Sequence, residues 1–391
     1  MTIFATPQPD LEDVQVVAEI HAFRHELRSS LRVPRRWTGG LRRTTQARAI
    51  QGSNTIEGYT VSDQDALAAV EDEEPLTADQ RTWAEIVGYR RVLTYVLNVA
   101  TTPGFRIDVP ILTAMHFMLL EHDLGKMPGR YRTTSIYVRD DRSEQTVYEG
   151  PDPDQVGALV GELVGDLQRS TDVDPLVRAA MAHLNLVMIH PWRDGNGRMA
   201  RAVQTMVLAQ DSVLEPTFAS IEEWLGRHTE DYYAVLAATG HGRWQPELDA
   251  GLWVKFNLRG HHFQAQTLRR RFADAEQLYV VIDELIARYR LPERVADPLF
   301  DAALGGRVTR PTYLKRVEPL ENRTATRDLQ RLADLGLLVS HGQTRGRYYV
   351  AGGELALVRD RLRRERSPLR DPYPRLLDDI RRARDGKNLG R

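Results

Sequence analysis

The chain has 391 residues, enough for two or three domains, and its 42% apolar content is sufficient to build their cores. Its 53 basic and 54 acidic residues leave a net charge of −1, so no global field attracts polyanions. With no cysteine there are no disulfides, thiolate metal sites, iron–sulfur clusters or cysteine nucleophiles. No run approaches the roughly 18 apolar residues of a membrane span, and the N-terminal MTIFATPQPD lacks the basic-then-apolar pattern of a secretory signal, so the expectation is a cytoplasmic protein with no membrane partner.

Taken in chain order, apolar positions at helical spacing predict helices over 11–31 and 83–99, separated by a polar stretch around 35–58 and an acidic run at 71–74. A further helix over 109–124 ends at Gly125, with Pro128 and Gly129 marking a turn. Residues 130–138 and 145–148 carry β-branched and aromatic side chains around a polar RDDRSE turn, which predicts a hairpin. Helical periodicity returns over 154–169, 175–189 and 198–210 and continues to about residue 290. The block from 308 to 350 reads as helix, turn, helix and hairpin, the order of a winged helix, with Pro311 near a helix start. The basic remainder is expected to be partly helical and loosely held. The fold class is therefore mainly α.

The most informative stretch is HPWRDGNGRMAR, residues 190–201. It begins as one helix ends and finishes inside the next, so a glycine-containing loop runs into a helix N-terminus, where unpaired N–H groups and the helix dipole favour phosphate. Arg198 and Arg201, three apart, share a face from which both can reach anions held there. Asp194 supplies one carboxylate beside the phosphates, as Mg²⁺ sites commonly do, and His190 can act as a base near neutral pH. Singly these residues read as a turn, a solvated face and a helix cap; within twelve residues they describe a nucleotide-dependent transferase.

The segment resembles the motif of the Fic family, H-x-F-x-[DE]-G-N-G-R-x-x-R, with Trp192 where phenylalanine is usual. The resemblance implies that His190 deprotonates a hydroxyl of a target protein, whose oxygen attacks the α-phosphorus of Mg·ATP and expels pyrophosphate, leaving an AMP-modified side chain. It also implies that Asp194 binds Mg²⁺, that the backbone at Gly195 and Gly197 with the Asn196 side chain holds phosphate oxygens, and that Arg198 and Arg201 neutralise the β- and γ-phosphates. Gly197, in place of the lysine of the phosphotransferase branch, favours nucleotidyl transfer. The predicted hairpin lies where a Fic flap belongs, with Arg130, Tyr131, Ser135, Ile136 and Tyr137 as docking residues for an extended target. Tyr232 and Tyr233 are adenine contacts or core residues.

A second motif, Ser53-Asn54-Thr55-Ile56-Glu57-Gly58, resembles the family's inhibitory pattern [ST]-x-x-x-E-[GN]. An N-terminal helix would then deliver Glu57 to Arg201, removing the γ-phosphate's partner. The resulting organisation is an N-terminal inhibitory segment (1–82), a catalytic core (83–259), a connecting helix (260–290), a winged-helix domain (291–352) and a basic tail (353–391). Residues 305–350 carry nine Lys/Arg against four Asp/Glu. A helix over 324–335, capped by Asn322, exposes Arg323, Arg327 and Arg331, with Arg345 and Arg347 on the wing. This domain is read first as a subunit- or protein-contacting element and otherwise as a DNA reader. The leading expectation is a self-inhibited AMP transferase acting on Tyr, Thr or Ser of a target protein or of itself, with a homodimer among the partners. The alternatives are a DNA-binding regulator whose core senses nucleotide, and transfer or removal of another nucleotide group.

Overall fold

The structure, a computed structural model, describes residues 2–32, 35–139, 146–169, 172–210, 214–317, 319–343 and 346–385. In chain order its helices are α1 (Leu11–Arg32), α2 (Thr38–Ile56), α3 (Asp63–Glu71), α4 (Gln80–Val99), α5 (Val109–Leu120), α6 (Pro153–Arg169), α7 (Pro175–Ile189) and α8 (Asn196–Gln210). They continue with α9 (Glu222–Arg227), α10 (Thr229–Gly240), α11 (Gly251–Tyr289), α12 (Ala296–Ala303), α13 (Arg310–Arg316), α14 (Asn322–Asp334), α15 (Gly353–Arg364) and α16 (Leu376–Asp385). Two antiparallel hairpins, β1 (Tyr137–Arg139) with β2 (Thr146–Glu149) and β3 (Leu338–His341) with β4 (Tyr348–Ala351), are the strands. The protein is mainly helical, as its sequence predicts.

Two apolar cores organise these elements. The first is centred on α7 and α8, which are buried nearly all round, as a helix must be when other helices cover every face. The elements α4, α6 and α11 close around them, and the indole N–H of Trp253 on α11 donates to the Ala180 carbonyl of α7 at 2.7 Å. Asp174 caps α7 through the Leu176 N–H, and Pro175 opens it, the usual chemistry of a helix start. The second core gathers Leu268, Phe272 and Leu285 of α11 with Leu299 and Phe300 of α12 and Leu329 and Leu332 of α14.

Helix α2 joins both: Trp37 and Leu41 at its start lie in the second core, while Ala47, Ile50 and Ile56 lie in the first. The sequence reads as a polar separator here, yet the helix buries Thr45, Gly52, Ser53 and Asn54 as well as its few apolar residues. Small residues make this burial feasible, because α2 crosses α9 at backbone contact. A Cβ on Gly52 would stand 2.3 Å from the Glu222 carbonyl oxygen, and one on Gly226 2.5 Å from Gly52 Cα.

Three further expectations are corrected. The predicted strand over 130–138 shrinks to its last residues, because Arg132 turns inward and takes the backbone of 132–134 out of any ladder. Residues 140–145, which hold all of the RDDRSE turn but Arg139, together with the first residue of the predicted second strand, lie outside the described residues, as do Arg345 on the expected wing and the last residues, 386–391. The C-terminal segment is not loosely held: Leu355 and Leu362 of α15 enter the second core, and Tyr373, Leu376 and Ile380 enter the first. Arg259 fixes the approach to α16 through Asp371 at 2.8 Å. Asn322 is the first residue of α14 rather than its cap, and Glu321 before it makes no side-chain cap bond.

Candidate active site

His190 ends α7 in the left-handed conformation (φ 51°, ψ 60°), uncommon for a residue with a Cβ and held only where the surroundings impose it. Arg132 imposes it: its Nε donates to the His190 carbonyl at 2.9 Å, and its backbone N–H donates to the Pro191 carbonyl at 2.9 Å. The imidazole Nδ1–H donates to the Val187 carbonyl at 3.1 Å, which fixes the tautomer and leaves Nε2 as the basic nitrogen. Burial pushes the His190 pKa down to about 4, so the ring is neutral at physiological pH.

The loop that follows is closed from inside. Trp192 is fully buried and stacks on His116 at 4.4 Å between ring centres. The ring of His116 donates from Nε2 to the Asp194 carbonyl at 3.0 Å and accepts the Gly129 N–H on Nδ1 at 2.8 Å, so one side chain ties the loop to the flap's approach. Asn196 accepts the Trp192 N–H (2.9 Å) and donates to the Trp192 carbonyl (2.8 Å). Its side chain therefore closes the loop in this structure. Gly195, at φ 76°, donates its N–H to Asp194 Oδ1 at 2.6 Å, so that N–H is occupied as well. The other N–H groups of the first α8 turn remain for an anion.

Three cations and three carboxylates meet at this helix start. Arg198, 1% exposed, donates from Nη1 to Glu85 Oε2 at 2.5 Å. Lys126 bridges Glu85 Oε1 (2.7 Å) and Asp194 Oδ2 (2.8 Å). Burial opposes charge on both acids, yet Arg198 and Lys126 draw Glu85 down to about 2, and Lys126 and Arg198 hold Asp194 below the usual carboxylate range. Arg201, fully buried, donates from Nε to Ser53 Oγ at 2.8 Å, and from Nη2 to the Ser53 carbonyl at 2.9 Å and to Glu57 Oε1 at 2.6 Å. Its Nη1 is buried without a partner. Glu57 also lies against Gly197: a Cβ there would stand 2.5 Å from Glu57 Oε1 and 3.1 Å from Arg201 Nη1. Gly58, at φ 84°, makes the turn that ends α2 behind the glutamate.

The structure thus brings together His190, Asp194, Gly197, Arg198, Arg201, Ser53 and Glu57. Tyr232 belongs elsewhere: it is 1% exposed, and its hydroxyl donates to His183 Nε2 at 2.9 Å while His183 donates from Nδ1 to Gln204 Oε1. It is a core residue and not an adenine contact. Tyr233 is 47% exposed, with its hydroxyl on the Ile56 carbonyl at 3.0 Å, so it braces the end of α2. In the flap, Arg130, Ser135 and Tyr137 are exposed and Ile136 is half-buried, whereas Tyr131 packs inward at 6.1 Å from Trp192. Among the described residues β1 pairs only with β2, leaving its other edge open.

Four residues of the site were not singled out from sequence: Glu85, His116, Lys126 and Arg132. Glu85 sits on α4, where a polar residue reads as solvated, His116 is a polar residue within the apolar α5, and Lys126 and Arg132 lie in the segment that connects α5 to β1. A buried carboxylate partner for the fully buried Arg198 is the one signal that sequence reasoning could have demanded.

Asp194, 36% exposed at the loop mouth, is a hard oxygen donor of the class Mg²⁺ takes, with phosphate and water completing the sphere. Among the described residues no three His, Cys, Asp or Glu cluster into a self-sufficient metal site, so one carboxylate with a nucleotide's own oxygens is the donor set that fits.

The helical core with a motif loop between two buried helices is similar to known proteins. Residues 106–208 match the model of the Fic/DOC family. The chain is 29% identical over 201 residues to protein adenylyltransferase Fic of Nematostella vectensis, covering 50% of this chain and 44% of that one. It is 26% identical over 248 residues to protein adenylyltransferase fic-1 of Caenorhabditis elegans, covering 62% and 45%. The chain thus spans less than half the length of these curated relatives. Among solved structures, a Fic family protein from Desulfovibrio desulfuricans G20 shares the fold with a TM-score of 0.56 and 23% identity, over 89% of this chain and 98% of that one.

Proposed function

We propose that the protein transfers AMP from ATP to a hydroxyl side chain of a target protein and that Glu57 restrains the reaction. Neutral His190 accepts the proton of a Tyr, Thr or Ser hydroxyl on Nε2. The hydroxyl oxygen then forms a bond to the α-phosphorus as the bond to the bridging oxygen breaks, and pyrophosphate leaves. The first turn of α8 with Arg198 and Arg201 stabilises the charge that gathers on the departing phosphates, from positions already set before the substrate arrives. Asp194 would hold Mg²⁺, which would supply further charge neutralisation at the phosphates. The open edge of β1 is suited to pairing with an extended target segment, which would present its hydroxyl beside His190. The names of the curated relatives, both adenylyltransferases, support the reaction class.

One observation carries this reading: a neutral histidine, an orienting Arg132 and two buried arginines face one helix N-terminus. Label transfer from α-³²P-ATP with Mg²⁺ to a lysate or to the protein itself tests it. Label is expected with Glu57→Gly and lost with Glu57→Gly/His190→Ala. Equal labelling by those two variants would remove the histidine from the chemistry.

A second reading concerns the C-terminal helices, which we propose act as a winged helix-turn-helix. Exposed on α14 are Asn322, Arg323, Thr326, Arg327 and Gln330, lining one groove with Arg310 of α13, and neither helix exposes a large apolar side chain. Arg and Asn or Gln are the side chains that read guanine and adenine edges bidentately, so duplex DNA suits this face better than an apolar protein patch would. Binding of a 20-base-pair duplex should then weaken steeply with salt. Arg323→Ala/Arg327→Ala should weaken it about tenfold or more and flatten the salt slope, while salt-independent binding equal in both proteins would refute the reading.

A further inference from the structure

We propose that Glu85 and Asp194 form a seat for one cation and that the Lys126 ammonium fills it at rest, so that a divalent ion enters only by displacing this lysine. The proposal rests on the reading that Asp194 takes the ion. It starts from three distances. Lys126 Nζ lies 2.7 Å from Glu85 Oε1 and 2.8 Å from Asp194 Oδ2, one oxygen from each of two carboxylates on separate elements. The remaining oxygens are spoken for: Asp194 Oδ1 accepts the Gly195 N–H at 2.6 Å, and Glu85 Oε2 accepts from Arg198 at 2.5 Å. An incoming ion therefore competes with one of these partners for Asp194, above all with the like-charged ammonium, since the backbone N–H of a buried loop is the less movable. The ammonium stands at the end of a flexible four-carbon stem.

Charge and chemistry agree with this placement. Around the helix start Arg198, Arg201 and Lys126 balance Glu57, Glu85 and Asp194, so withdrawing Lys126 leaves one net negative charge, with His122 Nε2, 3.4 Å from Glu85 Oε1, the next partner at hand. Glu85 is 1% exposed and cannot turn to water for relief. An ordinary surface ion pair has neither this burial nor two acids on one nitrogen. The residue type also fits: lysine is rare here, four among 53 basic residues, and a compact ammonium mimics a metal ion between two oxygens better than a planar guanidinium does.

The consequence is a gate on metal loading that is separate from the Glu57 contact with Arg201. The nucleotide's phosphates offer the displaced ammonium a new anionic partner, so ion and nucleotide should load together and the ion alone weakly. The test uses the full chain and Mn²⁺ alone as probe, with affinity read by calorimetry or by the electron paramagnetic resonance of free Mn²⁺. Lys126→Met should bind Mn²⁺ at least about tenfold more tightly than the parent, and Asp194→Asn in that background should abolish the gain. Lys126→Gln, which keeps a hydrogen-bonding stem without charge, gives the same reading if the methionine variant does not fold.

Equal affinity of parent and lysine variants would overturn the proposal. So would tighter binding that survives Asp194→Asn, and that result would also remove Asp194 as the ligand. Absence of Mn²⁺ binding in every variant would overturn the seat while leaving AMP transfer to its own labelling test.

Discussion

Removing Glu57 should raise AMP transfer about a hundredfold. The carboxylate donates nothing to the fold's centre, but it occupies Arg201 Nη2 at 2.6 Å and overhangs Gly197, where a phosphate would meet the first turn of α8. To bring a phosphate to Arg201 the resting protein must break a charge-assisted hydrogen bond, worth roughly 1.5–3 kcal/mol. If the glutamate stays, the phosphate faces a like charge at about 4 Å, a repulsion of ~4 kcal/mol at an effective dielectric constant near 20. Glu57 is 22% exposed and Arg201 fully buried, so solvent screens part of both contributions and a net of about 3 kcal/mol is reasonable. That is roughly two powers of ten in rate. Glu57→Gly keeps the Ser53 contacts to Arg201 and should fold. Its initial rate of label transfer from α-³²P-ATP is compared with the parent at saturating ATP, and with Glu57→Gln, which keeps the shape without the charge and should fall between them. Rates for Glu57→Gly and the parent within about twofold would refute the reasoning, because the buried arginine would then never have been withheld from the phosphate.

Two other outcomes follow from the same geometry. The His190 pKa lies near 4, so the activated Glu57→Gly variant should transfer AMP at a rate without an inflection between pH 8 and 6, and a limb centred on 6.5 would contradict a neutral base. Stability should nevertheless fall on acidification: His116 and His183 are depressed to about 4 and about 3, so the unfolded chain binds protons below 6.5 that the folded chain refuses. The melting temperature should therefore decline from pH 6.5 toward 4, and then further as Glu85 and Glu223, held near 2, are protonated. Trp192→Phe should cost less than about 1.5 kcal/mol by denaturant titration, since the lost stacking on His116 is offset by removing an indole N–H that is buried without a partner; a loss above 3 kcal/mol would show that the larger ring holds the loop.

The parts of the site legible in the sequence were those with chemistry packed into consecutive residues. From His190 to Arg201 the loop, the helix start and both arginines fall in one twelve-residue window, and the Ser53–Glu57 spacing places both residues at one end of a helix, facing Arg201. Asn196 shows what such reading leaves out: its bonds to both backbone groups of Trp192 also make it the pin of the loop. Tyr232 and Tyr233 are adjacent and chemically identical, yet helical geometry sends one into the core and the other to the Ile56 carbonyl. Helix α2 escaped periodicity because its buried face is built from Gly, Ser, Thr and Asn, whose burial reflects close backbone approach rather than apolar area. Glu85 and Lys126 escaped because each is meaningful only through the other and through Arg198, across 41 and 113 positions of sequence.

The two acids on the two arginines are not equivalent, and their difference says where regulation would act. Glu85 lies within α4, 1% exposed, bonded to Arg198 and Lys126 and unable to leave without stranding charge. Glu57 is the residue just past the end of α2, before a left-handed glycine, with its carboxylate 22% exposed and Arg201 as its strong partner. Only the second can be withdrawn by unwinding one helical turn. The other end of α2 is fastened to the second core through Trp37 and Leu41, and Arg43 reaches Asp301 of α12 at 3.1 Å and Glu71 of α3 at 3.2 Å. Between the two ends the helix is locked against α9 at Gly52. A rigid element that contacts the C-terminal unit at one end and Arg201 at the other, with its fulcrum at a glycine crossing, is the kind of physical connection through which a partner bound near α12–α14 would alter how firmly Glu57 is held.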